Sequence, residues 1–104
     1  TIKKNIKCFD ATKKLKFKKN NFDLVISINV IHNFSIDKVF SFLKNVIYIS
    51  KNTYIATESY RNDKELFNLQ CWALTCETFL RPEEWKWLFK KVGYNGDYEF
   101  IYFK

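Results

Sequence analysis

A mixed α/β domain with an open parallel sheet is the fold class predicted for this sequence of 104 residues, on three observations. The run Phe22-Asp23-Leu24-Val25-Ile26-Ser27-Ile28 is apolar and β-branched almost throughout instead of alternating, the pattern of a strand buried on both faces of a parallel sheet. An amphipathic segment and a second β-prone segment follow it at the spacing of a strand, helix, strand crossover. Two glycines and one proline are too few for a turn-dense all-β chain.

The elements follow in order. Ile6 to Phe9 reads as a short strand ending at Asp10-Ala11, and a basic loop with Leu15 and Phe17 as apolar anchors comes next. The strand to Ile28 stops at Asn29. Ser35 is placed to cap a helix from Ile36 to about Ile49, because Val39, Phe42, Leu43, Val46 and Ile47 recur at three and four residues. Thr53 to Thr57 is the next strand, entered through the polar Ser50-Lys51-Asn52 turn. Asp63 is expected to cap a helix running to about Phe79, with Leu66, Leu69, Ala73 and Cys76 on one side and Phe67 and Trp72 widening that face. Pro82 in a first turn, Glu83 and Glu84 at the positive dipole end, Trp85, Leu88, Phe89 and Val92 in register, and Gly93 beyond the end define another helix. Tyr98 to Phe103 is the last strand, after an Asn95-Gly96 turn. No repeat and no linker divides residues 1–104, so one domain, or a piece of one, is expected.

Composition excludes several classes. No apolar run approaches the ~20 residues a spanning helix needs, so no membrane partner is expected. An aromatic content of 19% excludes a disordered chain. Cys8, Cys71 and Cys76 are an odd number without C-x-x-C spacing, and the first ten residues lack a secretory apolar core, which points to the reducing cytoplasm. With His32 the only histidine, no zinc set can be assembled and no metal is expected. Net charge is +7, most of the excess lying before Asn20. A solvated lysine face is the ordinary reading of that run, and the scarcity of arginine argues against base readout, so nucleic acid is the less favoured partner.

Open α/β sheets bind ligands beyond the carboxyl ends of their strands. The residues standing there are polar: Asp10 and Thr12, then Asn29, His32 and Asn33, then Glu58, Tyr60 and Arg61. Ordinary capping and turn chemistry accounts for any one of them, whereas their joint placement on one edge favours a site. His32 suits a general base, although a lone histidine before a helix start is more commonly a hydrogen-bonded cap.

The order of these motifs resembles a known family. Cys8-Phe9-Asp10-Ala11-Thr12, Leu15-Lys16-Phe17, Asn21 to Asn29 and Ile31-His32-Asn33 are similar to the second half of a class I S-adenosylmethionine-dependent methyltransferase domain, with Lys16 where a proline is usual. Pro82-Glu83-Glu84-Trp85 through Gly93-Tyr94 resembles the family's helix before its late strands. The resemblance implies a Rossmann-like sheet, helices on both faces, strand order 3-2-1-4-5-7-6, and a chain holding the third strand onward. The glycine-rich loop and the acidic ribose-binding residue of the family are absent. The two missing strands would leave the Leu24 to Ile28 strand as an exposed edge, and the final antiparallel pair incomplete.

The resemblance also implies roles. S-adenosylmethionine would be the cofactor, with Asp10 and Ala11 at its adenine and Ile28 and Asn29 along its adenosyl and methionine part. His32 would be the catalytic residue facing the transferred methyl, and Asn33, Glu58, Tyr60 and Arg61 would bind a small-molecule acceptor. The chain alone is expected to be inactive. The alternatives are an RNA methyltransferase fragment and a non-catalytic basic α/β module that binds an acidic partner through its lysines.

Overall fold

The computed structural model describes residues 10–14 and 17–104. The expected strand at Ile6 to Phe9, with Cys8, lies outside the described residues. The rest forms β1 (Val25–Ile28), α1 (Ile36–Ile49), β2 (Thr53–Ser59), α2 (Asp63–Trp72), α3 (Pro82–Val92) and β3 (Asp97–Tyr102), with a 3₁₀ turn at Ile31–Asn33. The sheet order is β1-β2-β3, and both pairings are parallel. This is a small α/β fold compatible with a Rossmann-like sheet. No helix among the described residues is long and apolar enough to cross a membrane.

Register decides which side chains share a face. Ser27 is opposite Ile55 and Thr57 opposite Phe100, so alternation sets Val25, Ser27, Ile55, Thr57 and Phe100 on one side. The core lies there: Val39, Phe42, Leu43 and Val46 of α1 and Trp85, Leu88 and Phe89 of α3 close over Ile55, with Val25 and Phe100 packed at the margin. Leu69 of α2 is buried outside that cluster. α3 starts with Pro82 in its first turn, the Arg81 amide donates to Glu84 Oε1 at 2.8 Å, and Gly93 ends it at φ 82°. That left-handed backbone is natural for glycine and strained for other residues.

Several expectations are corrected. β1 is not buried on both faces: Leu24, Ile26 and Ile28 are 55, 58 and 54% exposed, because no described strand or helix covers that side or pairs with the outer edge. α2 ends at Trp72, not near Phe79, and its cap is Asn62, whose side chain accepts from the Glu65 amide, not Asp63. Ser35 does occupy the cap position of α1, yet its hydroxyl donates to Asp37 Oδ1. β2 runs to Ser59, so Glu58 belongs to the strand. β3 follows α3 by a crossover and pairs in parallel, so Asn95-Gly96 is no hairpin turn.

Candidate functional site

The carboxyl ends of β1 and β2 bring together His32 and Glu58. Glu58 projects from the face opposite the core, and the 3₁₀ turn carries His32 across to it, so that Nε2 lies 2.9 Å from Glu58 Oε2. That is ion-pair distance, but the approach lies outside hydrogen-bond direction. Both residues are buried, at 3 and 9% exposure. Burial pushes the His32 imidazole below its ordinary value, and the Glu58 carboxylate pulls the other way. Among the described residues the buried Nδ1 has no hydrogen-bond partner.

Residues 73–81 run alongside this turn. Having left the helix at Ala73, the chain is stitched onto the His32 turn: the Glu77 and Thr78 amides donate to the His32 carbonyl at 2.9 and 3.0 Å. Thr78 Oγ1 donates to the Phe34 carbonyl at 2.6 Å and Thr75 Oγ1 to Asn33 Oδ1 at 2.9 Å. Cys76 belongs to this strap, not to a helix face. Its thiol is pushed up to about 11 by burial, partly offset by a backbone hydrogen bond at Thr78, while the Glu58 charge raises it further. It is an unreactive thiol under ordinary conditions.

The other expected residues are distributed as follows. Asp10 is exposed, and its Oδ1 accepts from both the Thr12 hydroxyl and amide, at 2.6 and 2.9 Å, which holds its carboxyl below the usual range. Ala11 lies against α1, its carbonyl accepting from Asn45 Nδ2 at 2.6 Å. Ala11 and Ile28 line one apolar groove of about 370 Å³ together with Phe22, Leu24, Ile26 and Val30. Asn29 turns the chain at φ 57°, and its amide donates to the Ala56 carbonyl at 2.8 Å. Tyr60 is half-buried, with the Arg81 guanidinium 5.7 Å from its ring centre. Arg61 grips both oxygens of Glu65 at 3.0 and 2.6 Å and lies 3.9 Å over the Tyr102 ring, its side chain still 46% exposed. The guanidinium holds the Glu65 carboxyl below the usual range.

His32 and Glu58 therefore meet, Asn33 of the same turn bonds Thr75, Ala11 and Ile28 share the groove, and Arg61 pairs with Glu65. Sequence reasoning missed Thr75 and Thr78, which hold the strap. The available signal was the Thr75-Cys76-Glu77-Thr78 run, whose poor helix formers weaken any continuation of α2. Among the described residues no group of acidic, cysteine and histidine side chains could hold a metal ion.

No protein-family model matches the chain, and neither curated proteins nor solved structures yield a match.

Proposed function

We propose that the chain is part of an S-adenosylmethionine-dependent methyltransferase domain that acts on a small molecule. The observation that carries the reading is the buried His32–Glu58 pair at the carboxyl ends of parallel strands, with an apolar groove along β1. The residues fit the adenine end of the cofactor. Ala11, Ile28 and Val30 supply an apolar wall, and both Thr12 bonds end on Asp10 Oδ1, leaving Oδ2 to accept from an exocyclic amino group. They do not fit its other end, since both glycines lie in the last turns of the chain, at Gly93 and Gly96. The bare β1 edge is where strands carrying a glycine loop would pair.

When bound, the cofactor would bring an electrophilic methyl group. What the chain's own residues do is position and dry the site: water is excluded from the buried His32 and Glu58. His32, whose burial favours the neutral imidazole, is the group that would accept a proton from an acceptor. Calorimetric titration of S-adenosylhomocysteine into the whole natural protein tests the reading. Binding that weakens in Asp10→Ala is expected. Absence of binding removes the cofactor, and binding indifferent to Asp10 removes the adenine assignment.

A second reading, a non-catalytic basic module with an acidic partner, is favoured by the lysines. Among the described residues no lysine stands within ion-pair distance of a carboxylate.

A further inference from the structure

The end of the sheet opposite His32 carries a second concavity, at the start of β2. It encloses about 560 Å³ and has a polar floor and a basic rim. Thr53 and Tyr94 form the buried floor, and Lys19, Asn20, Lys51 and Asn95 stand exposed around it. Among the described residues no carboxylate lines it.

The fold assembles this cleft from segments distant in sequence. The loop before β1 is tied down along α1: Asn45 Nδ2 donates to the Ala11 and Lys13 carbonyls at 2.6 and 2.8 Å, the Asn20 amide to the Tyr48 carbonyl at 2.8 Å, and the Phe22 amide to the Ile49 carbonyl at 2.9 Å. Asn20 makes the turn at φ 56°, a left-handed conformation asparagine tolerates better than most residues. The tether brings Lys19 to Lys51, on the turn after α1. The last carbonyls of α1 already accept from loop amides, so the helix end does not need these ammonium groups as its caps. Tyr48, whose carbonyl anchors the Asn20 amide, is 47% exposed and follows Ile47 of the cleft lining in the sequence.

We propose that this cleft binds the phosphate backbone of single-stranded nucleic acid, with Lys19 and Lys51 on phosphates and Tyr48 as a stacking face. Lysine holds phosphate as a point charge, so binding is indifferent to sequence. An exposed aromatic beside a basic cleft suits unpaired bases, and the amides of Asn20 and Asn95 suit their polar edges. An acidic polypeptide would make no use of either. The proposal rests on the second reading above and not on methyl transfer.

The test is fluorescence anisotropy of a labelled twelve-residue oligouridine with the full chain between 50 and 200 mM salt, repeated for K19Q/K51Q and for K64Q/K86Q. The control pair removes the same charge from exposed positions on α2 and α3. Expected is salt-sensitive binding whose log–log slope shrinks by about 1.4 in K19Q/K51Q, two released counterions at about 0.7 each, and stays unchanged in the control. Tyr48→Ala, on the same assay, is expected to weaken binding by about 5- to 150-fold, one stacked base; unchanged binding overturns the stacking face. Equal loss in both double variants overturns the site in favour of net charge. Displacement of the RNA by inorganic phosphate at equal phosphate concentration overturns the polynucleotide. Binding of polyglutamate in place of the RNA overturns the inference while sparing the basic-module reading.

Discussion

His32 makes stability depend on pH in a window no other side chain of the described residues enters. The perturbation is acidification from pH 7.5 to 5. Because burial holds the folded imidazole below its ordinary value, the unfolded chain binds a proton near pH 6.5 that the folded chain refuses. The stabilisation is therefore fully present above about pH 6.5 and is lost as pH falls toward the folded value, at up to about 1.4 kcal/mol per pH unit for one proton. Against a total stability of roughly 5–15 kcal/mol, that loss shows in a urea midpoint. Carboxylates with lowered values, Asp10, Asp37 and Glu65, lose their stabilisation only below about pH 4.5, so the two windows separate. Glu58→Gln removes the charge that opposes burial and should extend the loss to lower pH; His32→Gln should abolish the step. Urea midpoints that rise, or stay level, between pH 7 and 5.5 in the parent chain would refute the reasoning, because the ion pair would then outweigh burial.

Four further outcomes follow from particular contacts. Gly96→Ala should cost about 1–3 kcal/mol in urea unfolding, since an added Cβ would meet Thr53 Oγ1 and the Thr53 carbonyl. Gly93→Ala, with open space around it but φ 82°, should cost about 1–2 kcal/mol from backbone strain alone. Ile26→Thr, on the bare face of β1, should change stability by no more than about 0.5 kcal/mol and reduce self-association in light scattering. In peptide-mapped alkylation at pH 8, Cys71 should label well before Cys76, whose rate should climb only as pH approaches 11.

The elements legible in advance were those whose periodicity and caps agree. α1 and α3 bury the predicted stripes, and Gly93 ends α3 as its position implies. α2 was legible only in its first half: beyond Trp72 the apolar spacing continues through Cys76, but Thr78 and the chain around it find better partners in the His32 turn. Local pattern cannot weigh that competition, since the partner lies more than forty positions earlier. Arg61 pairs with Glu65 four positions on, a spacing visible in the sequence, whereas the Tyr102 ring beneath its guanidinium is brought there by the sheet.

The sequence by itself determined the class of fold, the helix faces and the polar character of the strand ends, because burial stripes, caps and turn residues act over a few positions. Tertiary structure alone decided that His32 meets Glu58, that residues 73–81 run alongside the His32 turn, and that Lys19 faces Lys51 across a cleft. These depend on strand register and on which backbone groups still need partners once the sheet is formed, and neither is written at any one place along the chain.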